Sequence, residues 1–384
     1  MSGQPQLPLS APSFGEEEAQ AVADVVRSQW LTMGPVTAEF EKEFSAYVGS
    51  THGIMASSCT AALHLAFAAL GLGAGDEVIV PSLTFVATAN AVAYTGATPV
   101  FADIVSVEHP LLDPAAVEAA IGPNTKAVCA VHYAGYVCDM AALRDICDRR
   151  GLALVEDAAH APGATSPQGP AGSLGDLACF SFFSNKNLVT GEGGMVTTDD
   201  ETLAKKMRLL RAHGMTATSW DRERGHASGY DVIERGYNYR PSELEAALGR
   251  VQLAKVPDLT ARRRELIGMY RTAVERMPEV GVMPFTAEAD AMSSCHIMPL
   301  VTPSAEAKEA LRAAAAAAGI QTSVHYQPVH TFQVFQPQPA LPVTEEYYAR
   351  EVTLPLYPAM ADADVERVLA MLAALPAPAA TTGR

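Results

Sequence analysis

Residues 77–104 read EVIVPSLTFVATANAVAYTGATPVFADI. EVIVP (77–81) is a compact apolar run of strand length. TFVATANAVAYTG then carries its apolar residues at helical spacing and closes on Gly96. TPVFADI (98–104) is an apolar run again. Strand, helix and strand, with no polar alternation in the strands, is the pattern of parallel strands covered on both faces. The pattern continues in KAVCAVHY (126–133), a helical stretch from about Met140 to Arg150, ALVEDA (153–158), LACFSFF (177–183) and GMVTTD (194–199). The expected fold class is therefore α/β, with a three-layer αβα large domain around a mostly parallel sheet. In such sheets ligands bind outside the carboxyl ends of the strands, which is where chemistry is to be sought.

After about residue 250 the texture changes. VQLAKVPDLTARRRELIGMYRTAVERM is a long amphipathic helical stretch, in which the run Arg262-Arg263-Arg264 reads as a solvated helix face. MPLV (298–301) reads as a strand, EALRAAAAAAGI as a helix closed by Gly319, and DVERVLAMLAAL as the final helix. The expected division is a large domain over 1–250 and a smaller C-terminal α/β domain over 251–384.

Composition narrows the class of function. The chain has 384 residues, 27 Lys and Arg against 43 Asp and Glu, and a formal net charge of −16. With 49% hydrophobic and 18% charged residues it is not a disordered chain. It lacks the basic excess that a nucleic-acid binder needs. No apolar run is long enough to span a membrane, and MSGQPQLPLSAPSFGEEE has neither the basic nor the apolar region of a secretory signal. The six cysteines form no CxxC pair and read as reduced thiols, so a cytoplasmic location is expected. The ten histidines show no metal-binding spacing, and no metal site is expected.

Three strand ends carry unusual polar residues. In GIMASSCTAALHLAFAALG an apolar run meets Ser57-Ser58-Cys59-Thr60, where a helix begins. Its backbone N–H groups and hydroxyls suit a phosphate, although ordinary capping by Ser or Thr explains them equally. In ALVEDAAHAPGA, Glu156 and Asp157 end a strand with His160 three residues on. A carboxylate there can fix a protonated ligand nitrogen or cap the next turn. In LACFSFFSNKNLVTGEGGMVTTD, Lys186 lies in a small-residue loop before Gly191, Gly193 and Gly194. A partly desolvated lysine has a lowered pKa and can form a Schiff base with an aldehyde, whereas most lysines are merely solvated. Together, a phosphate cradle, an acid and such a lysine are the parts that pyridoxal phosphate (PLP) requires.

At this point the chain resembles the DegT/StrS family of PLP-dependent sugar aminotransferases, of the aspartate aminotransferase type (fold type I), from Phe14 to about Leu375. The matching stretches include SQWLTMGP, EFEKEFSAYVG, SSCTAALHLAFAALG, GDEVIVPSLTFVATANAV, GATPVFADI, EDAAHAPGA, FSFFSNKNLVTGEGGM, GYNYRPSELEAALG, VHYQPVH and LPLYPAM. The resemblance implies that Lys186 forms the internal aldimine and shuttles the proton, and that Asp157 pairs with the pyridine nitrogen. It implies that His160 bonds the ring hydroxyl and Phe85 stacks on the ring. Ser58, Cys59, Thr60, Ala61 and Ser181 would bind the phosphate, Thr60 and Ala61 through their N–H groups. Asn238, in GYNYR, would reach the phosphate from the second subunit of a homodimer with a shared active site. Many relatives carry Gly where Cys59 stands, and a left-handed backbone there would be uncomfortable.

The resemblance implies a ping-pong reaction through PLP and its pyridoxamine form (PMP). The amino group of L-glutamate or L-glutamine passes to a keto sugar, in the first reading a nucleoside-diphosphate-linked 4-keto sugar. Relatives that act as dehydratases have His in place of the lysine, so Lys186 favours transamination. Trp220, Arg222, His226, Tyr237 and Arg240, in the long polar segment before and around Asn238, are candidate sugar or diphosphate contacts. His325 and Tyr326 are candidates at the substrate entrance. His213 reads better as a structural histidine. A 3-keto nucleotide sugar or a keto-cyclitol are alternative acceptors, and a non-enzymatic PLP-binding regulator ranks last.

Overall fold

The computed structural model describes residues 6–217 and 229–375. Strands β1 (His52–Ala56), β2 (Glu77–Pro81), β3 (Thr98–Ala102), β4 (Thr125–Val131) and β5 (Ala153–Asp157) come first. A short hairpin, β6 (Thr165–Ser166) and β7 (Gly169–Pro170), follows, and then β8 (Leu177–Ser181) and β9 (Gly194–Thr198). Seven of these form one sheet in the order β1-β9-β8-β5-β4-β2-β3. Its pairs are parallel from β8 through β5, β4 and β2 to β3, and β9 alone runs against its neighbours β1 and β8.

The helices α1 (Glu16–Ser28), α2 (Pro35–Val48), α3 (Cys59–Ala69), α4 (Ala87–Tyr94), α5 (Pro114–Ala120), α6 (Met140–Arg150) and α7 (Glu201–Arg211) alternate with the strands. The α/β class and the mostly parallel sheet follow from strands buried on both faces: β4, β5, β8 and β9 have almost no exposed residue. Local rules set the boundaries. Pro35 starts α2 and Gly49, at φ 76°, ends it. Asp139 caps α6 and Gly151 closes it.

One aromatic cluster anchors the strand that delivers the lysine. Phe44 meets Phe180 and Phe182 at ring-centroid distances of 4.9 and 5.3 Å, and Phe40 meets Phe182 at 5.4 Å. These rings are fully buried. At about 1.5–3 kcal/mol for each buried phenyl side chain, the end of β8 is firmly held. Ser181, between Phe180 and Phe182, points to the opposite face from those rings and, as the last residue of β8, lies at the carboxyl-end edge.

Helix α8 (Glu243–Val274) runs 32 residues from a Ser242–Glu245 capping box. The expected boundary at residues 250 and 251 falls inside it. Beyond it come α9 (Ala287–Met292), β10 (Met298–Val301), α10 (Ala305–Ala317), α11 (Pro342–Arg350), β11 (Glu351–Leu354) and α12 (Asp362–Ala373). A separate core gathers Leu266, Ile267, Tyr270, Leu300, Leu311, Val352 and Val368, and Leu7 from the other end of the chain joins it.

The arginine run of α8 is not a solvated face. Arg263 is 3% exposed, and its Nη1 donates to the carbonyls of His296, at 3.1 Å, and Leu356, at 3.2 Å. Arg264 Nε donates to Ser293 O at 2.8 Å, and Arg262 pairs with Asp362. Three consecutive residues point in three directions around a helix, and here α8 has protein on all of those sides. Among the described residues, no helix is long and apolar enough to cross a membrane.

Candidate active site

The carboxyl ends of β1, β2, β5 and β8 and the amino end of β9 meet at one edge of the sheet. A cavity of about 400 Å³ opens there, lined by the start of α3, the start of α4, Asp157, His160, Ser181, Lys186 and, from the C-terminal part, His325 and Tyr326. A wider groove of about 640 Å³ lies between α1, α2 and α8, but its polar groups, Asp24, Ser28, Glu43 and Arg250, form no reactive set.

Lys186 follows β8 in the loop to β9. Burial pushes its amine down to about 8, against the pull of its neighbours Cys59 and Asp157. The Cys59 thiol is itself driven far up by burial and carries no charge, so Asp157 is the charged neighbour that matters. Burial also holds the Asp157 carboxyl above its usual range. It outweighs the hydrogen bonds from Thr88 Oγ1 (2.7 Å, to Oδ2) and Ala159 N–H (3.2 Å, to Oδ1) and the charge of Lys186. A buried carboxylate with so few donors wants a cationic N–H partner.

The start of α3 is open in the same way. Ser58 Oγ accepts from Ala61 N–H at 3.1 Å, so the Ala61 donor expected for phosphate is already taken by the cap. The N–H groups of Cys59 and Thr60 have no acceptor among the described residues and sit at the positive end of the helix. Cys59 is the first residue of α3 and has helical geometry, so the left-handed strain expected there does not arise. Gly194 keeps this mouth clear: a Cβ on it would stand 2.6 Å from the Ser58 carbonyl carbon.

Above the acid, His160 Nδ1 accepts the Ala134 N–H at 3.2 Å, and Nε2 meets the Tyr326 hydroxyl at 2.9 Å. An acceptor Nδ1 on a neutral ring requires the proton on Nε2, and burial keeps this ring neutral. Nε2–H therefore donates to Tyr326, whose own hydroxyl proton is left to the cavity. Phe85 is 59% exposed at the mouth, 6.0 Å from the Tyr326 ring centroid.

The set therefore has a lysine pushed down toward neutrality, a buried carboxylate with no cation hydrogen-bonded to it among the described residues, an aromatic face and an open helix N-terminus. Those are the four demands of pyridoxal phosphate, and the residues present fit it. Residues 12–373 match the DegT/DnrJ/EryC1/StrS aminotransferase family. The chain belongs to that family. It is 45% identical over 374 residues to the spore coat polysaccharide biosynthesis protein SpsC of Bacillus subtilis (strain 168), covering 94% of this chain and 95% of that one. Among solved structures, the aminotransferase TlmJ of Streptoalloteichus hindustanus superposes with a TM-score of 0.90 at 34% identity, over 97% of this chain and all of that one. Spr1654 of Streptococcus pneumoniae, solved in its PLP-form, gives 0.87 at 29% identity over 96% and 97%. DesI, solved in the presence of its TDP-sugar product, gives 0.86 at 32% identity over 96% and 92%. As a member of this family of fold type I, the chain is a sugar aminotransferase whose cofactor is PLP.

The cavity brings together Lys186, Asp157, His160, Ser58, Cys59, Thr60, Ser181, Phe85, His325 and Tyr326. It does not include Asn238, Tyr237 or Arg240 of the same chain. Asn238 is exposed, and Tyr237 stacks on Tyr239 with its ring 4.6 Å from His64. Trp220, Arg222 and His226 lie outside the described residues. Thr84, Thr88 and Glu192 line the cavity and were missed. Thr88 had a signal: it stands three residues after Phe85 at the start of a helical pattern, which puts both on one face.

Proposed function

We propose that the protein moves an amino group from L-glutamate or L-glutamine to the keto carbon of a nucleoside-diphosphate-linked 4-keto sugar. The observation that carries this reading is Lys186, a half-buried amine pushed down toward neutrality by desolvation, beside a buried carboxylate, Asp157. PLP, when bound, supplies the electron sink that stabilises negative charge at the donor's α carbon. The chain's residues do the rest. Lys186 Nζ, when unprotonated, takes the proton from that α carbon and hands it to the cofactor's aldehyde carbon within the same half-reaction, and in the other half carries a proton the opposite way, to the former keto carbon of the acceptor. Asp157 holds the cofactor's ring nitrogen in its cationic form, and Thr88 fixes Asp157. Ser58, Ser181 and the N–H groups of Cys59 and Thr60 hold the phosphate. Phe85 covers the ring, and His160 with Tyr326 fixes its hydroxyl edge.

The lining of the cavity among the described residues includes no arginine. An anionic substrate needs a cation besides Lys186, which suits a site completed by a second copy. Asn238, and Tyr230, Val232 and Ile233 near it, are exposed, and burial against a partner would suit that apolar strip. The site then takes the partner subunit's Asn238 at its phosphate. DesI and its TDP-sugar product favour a nucleotide-linked acceptor. All six cysteines are unpaired, which suits a reducing cytoplasm.

The test is direct. Purified protein with PLP and L-glutamate should give 2-oxoglutarate and then aminate a nucleotide-linked 4-keto sugar, and Lys186→Ala should lose the visible cofactor band and turnover by at least ~10³-fold. Full activity in that variant would overturn the assignment of Lys186. Turnover of a free keto-cyclitol, with none of any nucleotide sugar, would overturn the acceptor.

A further inference from the structure

His325 reaches the cavity from the irregular segment between Ser323, which bridges to Thr353, and Tyr326, and behind it lies a second buried acid that the reaction does not use. Glu351, on β11, is fully buried. Its Oε2 accepts the His325 backbone N–H at 2.9 Å, and its Oε1 meets Thr353 Oγ1 at 2.5 Å. Thr353 Oγ1 in turn meets His325 Nδ1 at 2.7 Å. His325 Nε2 makes no hydrogen bond among the described residues, and the ring lines the cavity with Lys186.

A hydroxyl has one proton, so this chain of two bonds runs in one direction at a time. With Glu351 a carboxylate, Thr353 donates to it and must accept from His325 Nδ1–H, which leaves Nε2 a lone pair. With Glu351 protonated on Oε1, Glu351 donates to Thr353, Thr353 donates to Nδ1, and the ring carries its proton on Nε2. We propose that Glu351, acting through Thr353, is a positioning residue that selects which ring nitrogen of His325 holds the proton, and so switches Nε2 between donor and acceptor in the cavity.

The surroundings raise the Glu351 carboxyl far above the usual carboxylate range. Burial pushes the Glu351 carboxyl up to about 8, against the bonds from Thr353 and His325 N–H and the charges of Lys308 and Arg312 on α10. The other ionisable groups near it are the phenols of Tyr133 and Tyr347, fully buried, and of Tyr326, half-buried at the cavity, all held neutral because desolvation pushes them up. His325 itself is held down to about 4 by burial and the charge of Lys186. Its other neighbours, His160 and His296, are also kept neutral by burial. The ring therefore stays neutral while its tautomer changes. Any bearing on catalysis rests on the reading of the cavity as the transfer site, but the tautomer is measurable without turnover.

The experiment is long-range ¹⁵N–¹H correlation of histidine-labelled, PLP-bound protein, with the His325 signals identified by their loss in His325→Gln. Wild type should show a neutral ring whose tautomer passes from Nε2–H to Nδ1–H as pH rises through about 8. Glu351→Gln should hold Nε2–H at every pH: its amide oxygen must take the His325 N–H, so its NH₂ faces Thr353. Thr353→Ser should keep the wild-type crossover and Thr353→Val should lose it. A wild-type tautomer that does not change with pH, or a crossover that survives in Glu351→Gln, would overturn the proposal. The wild-type titration decides even if a variant does not fold.

Discussion

Glu156 and Asp157 are consecutive residues on β5, both acidic and both buried, and they face opposite sides of one sheet. Glu156 is saturated. Oε1 accepts the N–H groups of Leu174 and Gly175 at 2.8 Å each, and Oε2 accepts Gly172 N–H at 2.9 Å and His132 Nε2 at 2.8 Å. Burial opposes its charge, yet these donors win and hold the carboxyl below its usual range. Asp157 has two donors, and there burial wins in the other direction. The same residue class, one position apart, is a structural rivet on one face and an unfinished site on the other. The count of donors, not burial, separates them.

That contrast breaks if the two acids respond alike. Asp157→Asn should cost about 10³-fold in turnover, roughly 4 kcal/mol of transition-state stabilisation. Its thermal midpoint should hold or rise, since the replacement relieves a carboxylate that the fold disfavours. Glu156→Gln should do the reverse. Its NH₂ would face two donors, so unfolding free energy should fall by about 3 kcal/mol while the folded fraction keeps its turnover, read by denaturant melts beside rate assays. A Glu156 variant inactive at full stability would sink the comparison. Thr88→Val sharpens it: Asp157 keeps its charge but loses one donor, and turnover should fall about 10-fold, the worth of one charge-assisted bond.

How much of this was legible in the sequence differs by the same logic. Asp157 and the Ser58–Thr60 helix start could be read because each sits at the end of an apolar strand, and Lys186 because it stands in a small-residue loop just beyond one, where local pattern and chemistry coincide. The choice between Glu156 and Asp157 is also local, since residues alternate across a strand. What could not be read depends on pairs far apart in the chain. Thr88 and Asp157 are 69 positions apart, and Glu351 meets His325 across 26. The Arg262–264 run looks solvated because composition says nothing of what packs around a helix, and here the 293–296 segment, Leu356 and Asp362 do. Asn238 is not among the described residues that line the cavity of its own chain, so its proposed role rests on a second copy that one chain's sequence pattern does not display.

The smallest expected effect tests the comparison most finely. Lys186 titrates at about 8, lowered by burial and raised by Asp157. The sign follows from charge: a nearby carboxylate stabilises the ammonium, so removing it makes the amine easier to deprotonate. In cofactor-free protein, the rate of Lys186 acylation by an amine-specific reagent, read by mass spectrometry of its peptide, should rise with a midpoint near pH 8. Asp157→Asn should move that midpoint down by up to about one unit, or 1.4 kcal/mol. Glu156→Gln should leave it in place, because the Glu156 charge is held by its own four donors on the far face of the sheet. Equal shifts in the two variants would mean that the sheet transmits both charges alike. The two faces of β5 would then not be electrostatically separate.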